Sequence, residues 1–319
     1  NVLAVNVEEN SNRSPIPYRI PPGIERVQQL SNNGVNLLQN EQAMSLQINN
    51  LQQGDARAVF KNLNFDLRQY GQLSMFMHAE KLVNNPVDLN DGDLTAVIRV
   101  GQDFLNNYYE IKIPLKITNP QNGITPENIW PEENNLDFLM QELVQLKIRR
   151  NGQLVNPEQI YREQIGNKQF SIKGNPNLGE VQGFLVGVEN NTSTNKSAEI
   201  WINELRLSNL DEKGGYAALG RVDMQLADLG TLSVSANTYT AGFGTIEQQV
   251  NERARQNLLQ FDAALNIDAG KLLPKKAGIS IPIFASINKT IITPEYDPYD
   301  MDVDFKDKLK TPGINKDSA

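Results

Sequence analysis

The chain carries one histidine and no cysteine, and those two counts bound its chemistry. Without cysteine there is no disulfide, no thiolate nucleophile and no Cys-ligated zinc. A single imidazole cannot build a His-rich metal site. No nucleophile motif stands beside His78, so neither a Ser-His-Asp triad nor a metal centre is expected, and His78 reads as an ordinary strand residue. Asp300, Asp302 and Asp304 have the spacing that opens a calcium loop. Such a loop also needs Gly at its sixth position and an acid at its twelfth, and here those are Phe305 and Thr311. Glu8-Glu9 and Glu132-Glu133 are neighbours along the chain, whereas glycoside hydrolysis needs two carboxylates facing one another across a cleft. No Walker loop and no Gly-rich dinucleotide fingerprint occurs. The expectation is a protein without catalytic, cofactor or metal residues.

Composition narrows the class further. The 319 residues are 39% hydrophobic and carry a net charge of −8. No basic cluster appears, so nucleic acid is not an expected partner. No apolar run reaches the ~18 residues of a transmembrane helix, a test that leaves membrane strands untouched because they are only half apolar. The chain opens at Asn1 without Met and is read as an internal segment of a longer protein.

The elements expected to organise these residues are strands. Residues 1–41, rich in Asn and broken by Pro15, Pro17, Pro21 and Pro22, read as an extended connector. Residues 42–210 read as an antiparallel β-sandwich, with short alternating runs between turn signals; the run Ala198–Leu207 resembles the closing strand of galactose-binding-like and carbohydrate-binding jelly rolls, which implies a sandwich of that type. A helical insertion is expected near 136–166, where Leu136, Leu139, Leu143 and Leu146 recur at helical spacing and a second helix follows Pro157. The strand at 198–207 changes phase near Glu204, which predicts a bulge. Its Trp201 offers a ring for sugar stacking or for an interface contact. A lone aromatic without a polar clamp makes no specific pocket, so sheet packing is the favoured reading.

Beyond Asp211-Glu212-Lys213-Gly214-Gly215 the pattern changes, and residues 211–319 read as the start of a transmembrane β-barrel segment. Apolar and polar residues alternate over lengths close to the 9–11 residues of a membrane strand. Val222, Met224, Leu226, Leu232, Val234, Phe261, Leu265, Ile267, Ile279, Ile281 and Ile283 are expected on one membrane-facing side. Asp223, Gln225, Ser233, Ser235, Asp262, Asn266, Asp268 and Ser280 are expected to line a lumen. Pro282 should fall at an irregular or unpaired point of its strand. Thr245 and Gln248 suggest a capping box opening a helix near 245–258, with Ile246, Val250, Ala254 and Leu258 on one stripe. Two architectures compete: a membrane channel, and a soluble carbohydrate-binding sandwich module of a cell-surface protein.

Several runs together carry a resemblance. They are Ile200–Leu207, Asp211–Tyr216, Thr240–Gln248, Val250–Arg253 and Pro294–Pro298. Upstream, Ile129–Asn134 and Lys173–Leu178 extend the match. In this order they are similar to the SprA family, also called Sov. That resemblance implies a very large outer-membrane protein of Bacteroidetes, the translocon of type IX secretion, which carries folded cargo to the cell surface and supports gliding motility. It implies as partners the other secretion-system subunits, secreted cargo proteins and outer-membrane lipid, and it brings no catalytic residue with it.

Overall fold

The computed structural model describes residues 1–30, 36–83 and 85–309. They fall into two compact units, one spanning Asn1–Leu210 and one beginning at Asp211. The chain is mainly β, its sheets are antiparallel, and none closes on itself.

In chain order the first unit contains β1 (Val2–Asn6), α1 (Val7–Asn10), β2 (Gln28–Leu30), β3 (Asn36–Leu38), β4 (Gln42–Leu51), β5 (Ala56–Phe65) and β6 (Tyr70–Lys81). There follow β7 (Leu94–Gly101), β8 (Tyr108–Pro114), α2 (Pro126–Ile129), β9 (Leu136–Leu139), α3 (Met140–Gly152), β10 (Tyr161–Ile165), β11 (Lys168–Lys173), β12 (Val181–Asn190) and β13 (Lys196–Leu210). A five-stranded sheet runs β1-β4-β13-β6-β9 and a six-stranded sheet runs β10-β11-β8-β7-β12-β5; β2 and β3 pair separately. Strict alternation turns Leu73, Met75, Met77 and Ala79 of β6, and Ala198, Ile200 and Ile202 of β13, to one side of the first sheet. There they join Ile98, Val100, Ile111, Ile113, Phe170, Ile172, Val186 and Val188 of the second sheet in a single core. Met140, Leu143 and Leu146 of α3 complete it.

The bulge lies where the alternation slips. Between Asn203 and Arg206, β13 spends three steps against two on β6 (Phe76 to Ser74), and Glu204 takes a positive φ of 53°.

Three expectations need correction in this unit. Residues 1–41 are not simply a connector. β1 extends the five-stranded sheet, and Ile16 and Tyr18 are buried. The prolines hold a path that lays those two side chains against aromatic residues supplied from far along the chain, which local composition does not reveal. The helical insertion is shorter than residues 136–166, because Leu136–Leu139 pairs with β6 before α3 begins. The helix after Pro157 is instead a hairpin, β10 with β11, closed by Gly166 (φ +63°) and Asn167.

The second unit contains β14 (Ala217–Leu226), β15 (Gly230–Tyr239), β16 (Gln256–Asp268), β17 (Pro282–Pro294), β18 (Tyr296–Asp297) and β19 (Asp300–Asp304). The first four form one up-and-down sheet in sequence order, and the last two form a small hairpin. No α-helix forms near 245–258. Gln248 Oε1 does accept from Thr245 N (2.9 Å), but only the single turn Val250–Glu252 follows, and β16 takes over at Gln256. Ile246 is fully exposed, so the stripe has no surface to bury, and a short helix without packing does not hold.

Candidate functional site

The four-stranded sheet of the second unit is built from a register that keeps each row intact across all four strands. Val222 faces Val234, which faces Ala263, which faces Ile287. Met224, Leu232, Leu265 and Ala285 form the next row, and Leu226, Gly230, Ile267 and Ile283 the one after. Directly opposed residues share a face. Over these three rows one face of the sheet is therefore an aliphatic surface, and β14 and β17 are exposed along almost their whole length. Nine of the eleven residues expected on one face, all but Ile279 and Ile281, lie in these strands and share that face. Ile279 and Ile281 precede β17, because Asp268 Oδ1 holds Ile281 N (2.7 Å) in the turn. Pro282 is the first residue of β17, where a missing N–H costs no ladder bond.

The opposite face is hydrogen-bonded among itself. Ser233 Oγ donates to Asp223, Arg221 holds Asp223 at 2.8 Å, and Asn288 Nδ2 donates to Asp262. Asp223, Gln225, Ser233, Ser235, Asp262, Asn266 and Asp268 all fall on it by register. Ser280 lies outside the strand, donating to Asp268 at 2.9 Å. Leu219, Leu258, Phe284 and Ile292 are the large apolar exceptions on this face.

At the end of the sheet near Tyr239, two glycine-bearing runs dock on one another. Tyr216 N donates to Thr240 Oγ1 and Thr240 N to Tyr216 O, each at 3.0 Å. A Cβ at Gly215 would overlap the backbone of residues 240–243, and one at Gly242 (φ +83°) would overlap Lys213 O. The sequence showed the glycines and not their contact. It also left unremarked that Lys289 occupies an apolar-face position, opposite Phe261.

Trp201 sits in the first unit and is fully buried. It lies on the outer face of the five-stranded sheet beneath residues 13–18. Its indole N–H donates to Glu199 Oε1 (2.9 Å), the His78 ring stacks on it at 4.0 Å, and Arg13 lies over it at 5.2 Å. Tyr18 and Trp130 close the cluster. A ring enclosed in this way offers no face to a sugar, so the geometry supports packing. His78 Nδ1 lies 2.7 Å from Ile129 O, which makes Nδ1 the donor, and Nε2 points at Glu80 Oε2 from 4.0 Å. Arg13 contacts both Glu80 (2.6 Å) and Glu199 (2.8 Å). Burial lowers the His78 imidazole to about 3, with the Arg13 charge acting the same way. Burial raises the Glu80 carboxyl to about 7, against the pull of Arg13. The group is a pinned structural junction in which one cation serves two buried carboxylates. Among the described residues no cluster of His, Asp and Glu is arranged to hold a metal ion.

A family model, SprA_N, described as a motility related/secretion protein, matches residues 1–309. No curated protein matches the chain.

Proposed function

From the premise that this chain belongs to the SprA family of motility-related and secretion proteins, we propose that it is part of an outer-membrane β-barrel translocon at the surface of a Gram-negative cell. Its role is the export of folded proteins by type IX secretion, with gliding motility dependent on that export. In this reading β14–β17 contribute a stretch of barrel wall, the aliphatic face meets lipid, and the Asp/Ser/Asn/Gln face borders the path of cargo. The first unit is a folded domain carried by that wall. Other secretion-system subunits and the secreted cargo are its partners. The role is conduit and scaffold, without catalysis, metal or cofactor.

The observation that carries the reading is the four-strand register. Strands of 10 and 13 residues keep one face apolar through the three rows from Val222 to Ile283, while Asp, Ser, Asn and Gln gather on the other. That is the length and dyad pattern that a membrane strand requires. No helix among the described residues is long and apolar enough to cross a membrane, and strands are a separate case.

The test is arginine scanning in the full-length protein. Arg at Leu265 or Ile287 should block membrane assembly and secretion. Arg at the neighbouring Asn266 or Ser286, on the other face, should be tolerated. Equal tolerance at all four positions ends the membrane reading.

A further inference from the structure

The aliphatic face is interrupted by one charge. Lys289 lies in the row Gly220, Ala236, Phe261, Lys289, and it is the only charged side chain in the paired rows of that face. It is exposed and makes no ion pair with the described residues. An unpaired ammonium on a surface that otherwise prefers hydrocarbon is costly at the bilayer midplane and nearly free at its boundary. A lysine stem can lie along apolar surface while its head reaches headgroup phosphates. Phe261, half exposed, stands beside it where an aromatic girdle residue would stand.

Beyond the Lys289 row the face becomes polar within two rows. On one side of the Lys289 row lie the three aliphatic rows from Val222 to Ile283. On the other side the next row is Ala218, Thr238, Leu259 and Ile291, in which Thr238 is the first uncharged polar residue of the face, and the row after that pairs Asn257 with Thr293. The far end of the sheet supplies the second limit. There the chain turns through Asp228, Asp268 and Lys271, with Lys271 Nζ 4.0 Å from Asp228. From Ile281, just before β17, to Lys289 is about 27 Å of extended chain. At a strand tilt of about 40° this is about 20 Å along the membrane normal, and the lysine stem brings it to the ~25 Å of an outer-membrane apolar band.

We infer that the Gly220–Ala236–Phe261–Lys289 row marks one membrane boundary, with Lys289 bound to lipid headgroup phosphate and the rows toward Ile283 immersed in hydrocarbon. This rests on the reading of the sheet as barrel wall, and it adds a depth for every row.

The experiment uses the full-length protein in phosphatidylcholine vesicles, with a fluorophore on a single introduced cysteine at Leu232, Val234, Ala236 or Thr238. The quencher is a nitroxide placed on the lipid headgroup or at mid-chain. The mid-chain quencher should dominate at Leu232 and Val234, and the order should invert at Ala236 and Thr238. Lys289→Leu in the Ala236-labelled protein should raise mid-chain quenching at least twofold, as the row sinks. Mid-chain quenching at Ala236 as strong as at Val234 overturns the boundary and leaves the lipid face standing. No quenching at any of the four positions overturns the boundary and the membrane reading together.

Discussion

β6 and β15 follow the same rule of alternation and end in opposite circumstances. In β6, Leu73, Met75, Met77 and Ala79 point into a shared core and are almost completely buried. The reverse side of that strand carries Phe76, His78 and Glu80, and it too is covered, by residues 13–18 and Trp130. In β15, Leu232 and Val234 lie on a face that nothing among the described residues of its own unit covers, and the two outer strands of its sheet, β14 and β17, are exposed on both sides. Alternation decides which side chains share a face. It does not decide what covers that face. A second sheet, a strap of chain or a lipid bilayer satisfies the same period of two. The cover has to be read from elsewhere. In the first unit it is aromatic residues from distant segments that meet over Trp201, and in the second, on the function proposed above, it is lipid.

The largest effect that would sharpen this contrast is expected at Arg13. It is the one cation shared by Glu80 and Glu199, both buried. Arg13→Ala leaves the Glu199 carboxylate uncompensated under the strap, while Glu80, raised further once Arg13 is gone, takes up a proton; loss of one partner from a buried ion pair costs about 3–5 kcal/mol. Urea unfolding of the 319-residue chain at pH 7, followed by tryptophan fluorescence, measures it. Both tryptophans, Trp130 and Trp201, sit in this cluster. A change below about 1 kcal/mol would mean that the strap is a loose cover, and the two units would then differ less than their burial suggests.

Leu265→Arg comes next, and its cost should depend on surroundings. In a bilayer an arginine near the midplane costs about 2–4 kcal/mol. In the isolated chain in water the same half-buried position should cost well under 1 kcal/mol, because the arginine head reaches solvent. Equal cost in both settings breaks the comparison, since it would show that protein covers the face.

The junction over Trp201 also predicts a pH dependence with a definite sign. Glu80 is raised to about 7, so between about pH 4.5 and 7 the folded chain holds a proton that the unfolded chain has released. Its contribution to stability is full below about 4.5 and is lost as pH rises through 7. His78, lowered to about 3, contributes in the opposite direction: its share is present above about 6.5 and is lost as pH falls toward 3. Glu80→Gln removes the first slope. It should stabilise the chain by about 1–3 kcal/mol at pH 8 and change little at pH 4.5, read by urea unfolding at the two pH values. Identical shifts at both would mean that Glu80 is charged throughout.

Much of this architecture was readable from the residues. The runs at 43–51, 56–63, 72–80, 94–100 and 108–117 alternate cleanly, and the corresponding strands form at those places. The slip near Glu204 marked the bulge because an extra residue must shift the face of everything after it. The shared face of Val222, Met224, Leu232, Val234, Phe261 and Leu265 followed from period alone. What was not readable depended on distance or on competition. Ile16 and Tyr18 gave no periodic signal because two residues between prolines make no pattern, and their tryptophan partners, Trp130 and Trp201, lie more than 100 residues away. The stripe Ile246, Val250, Ala254, Leu258 was real as a spacing, but Leu258 had a stronger claim on it as a partner of Tyr239 in the sheet. Before residues 161–165 Pro157 signals a helix start, but the Gly166-Asn167 turn is the more specific signal and marks the hairpin. Lys289 sat in plain view on the odd positions of β17, and only the register against Phe261 made it an exception.

The smallest expected effect concerns the open edge. β14 ends the sheet, and its outward backbone groups have no strand beside them among the described residues. An unpaired edge ten residues long with an apolar face is a template for pairing with another copy of the chain. Val222 is 55% exposed, so Val222→Lys removes little burial, and its effect on unfolding free energy should stay within about 0.5 kcal/mol. Its effect on association should be larger, because a lysine on an edge strand opposes edge-to-edge pairing. Sedimentation velocity of the isolated chain should show less high-mass material for the variant at equal concentration. Arg221 and Asp223 flank the site and already pair with one another, so the added charge is not neutralised locally. A loss of more than about 1 kcal/mol would place Val222 in a packed contact, and β14 would then resemble β6 rather than stand apart from it.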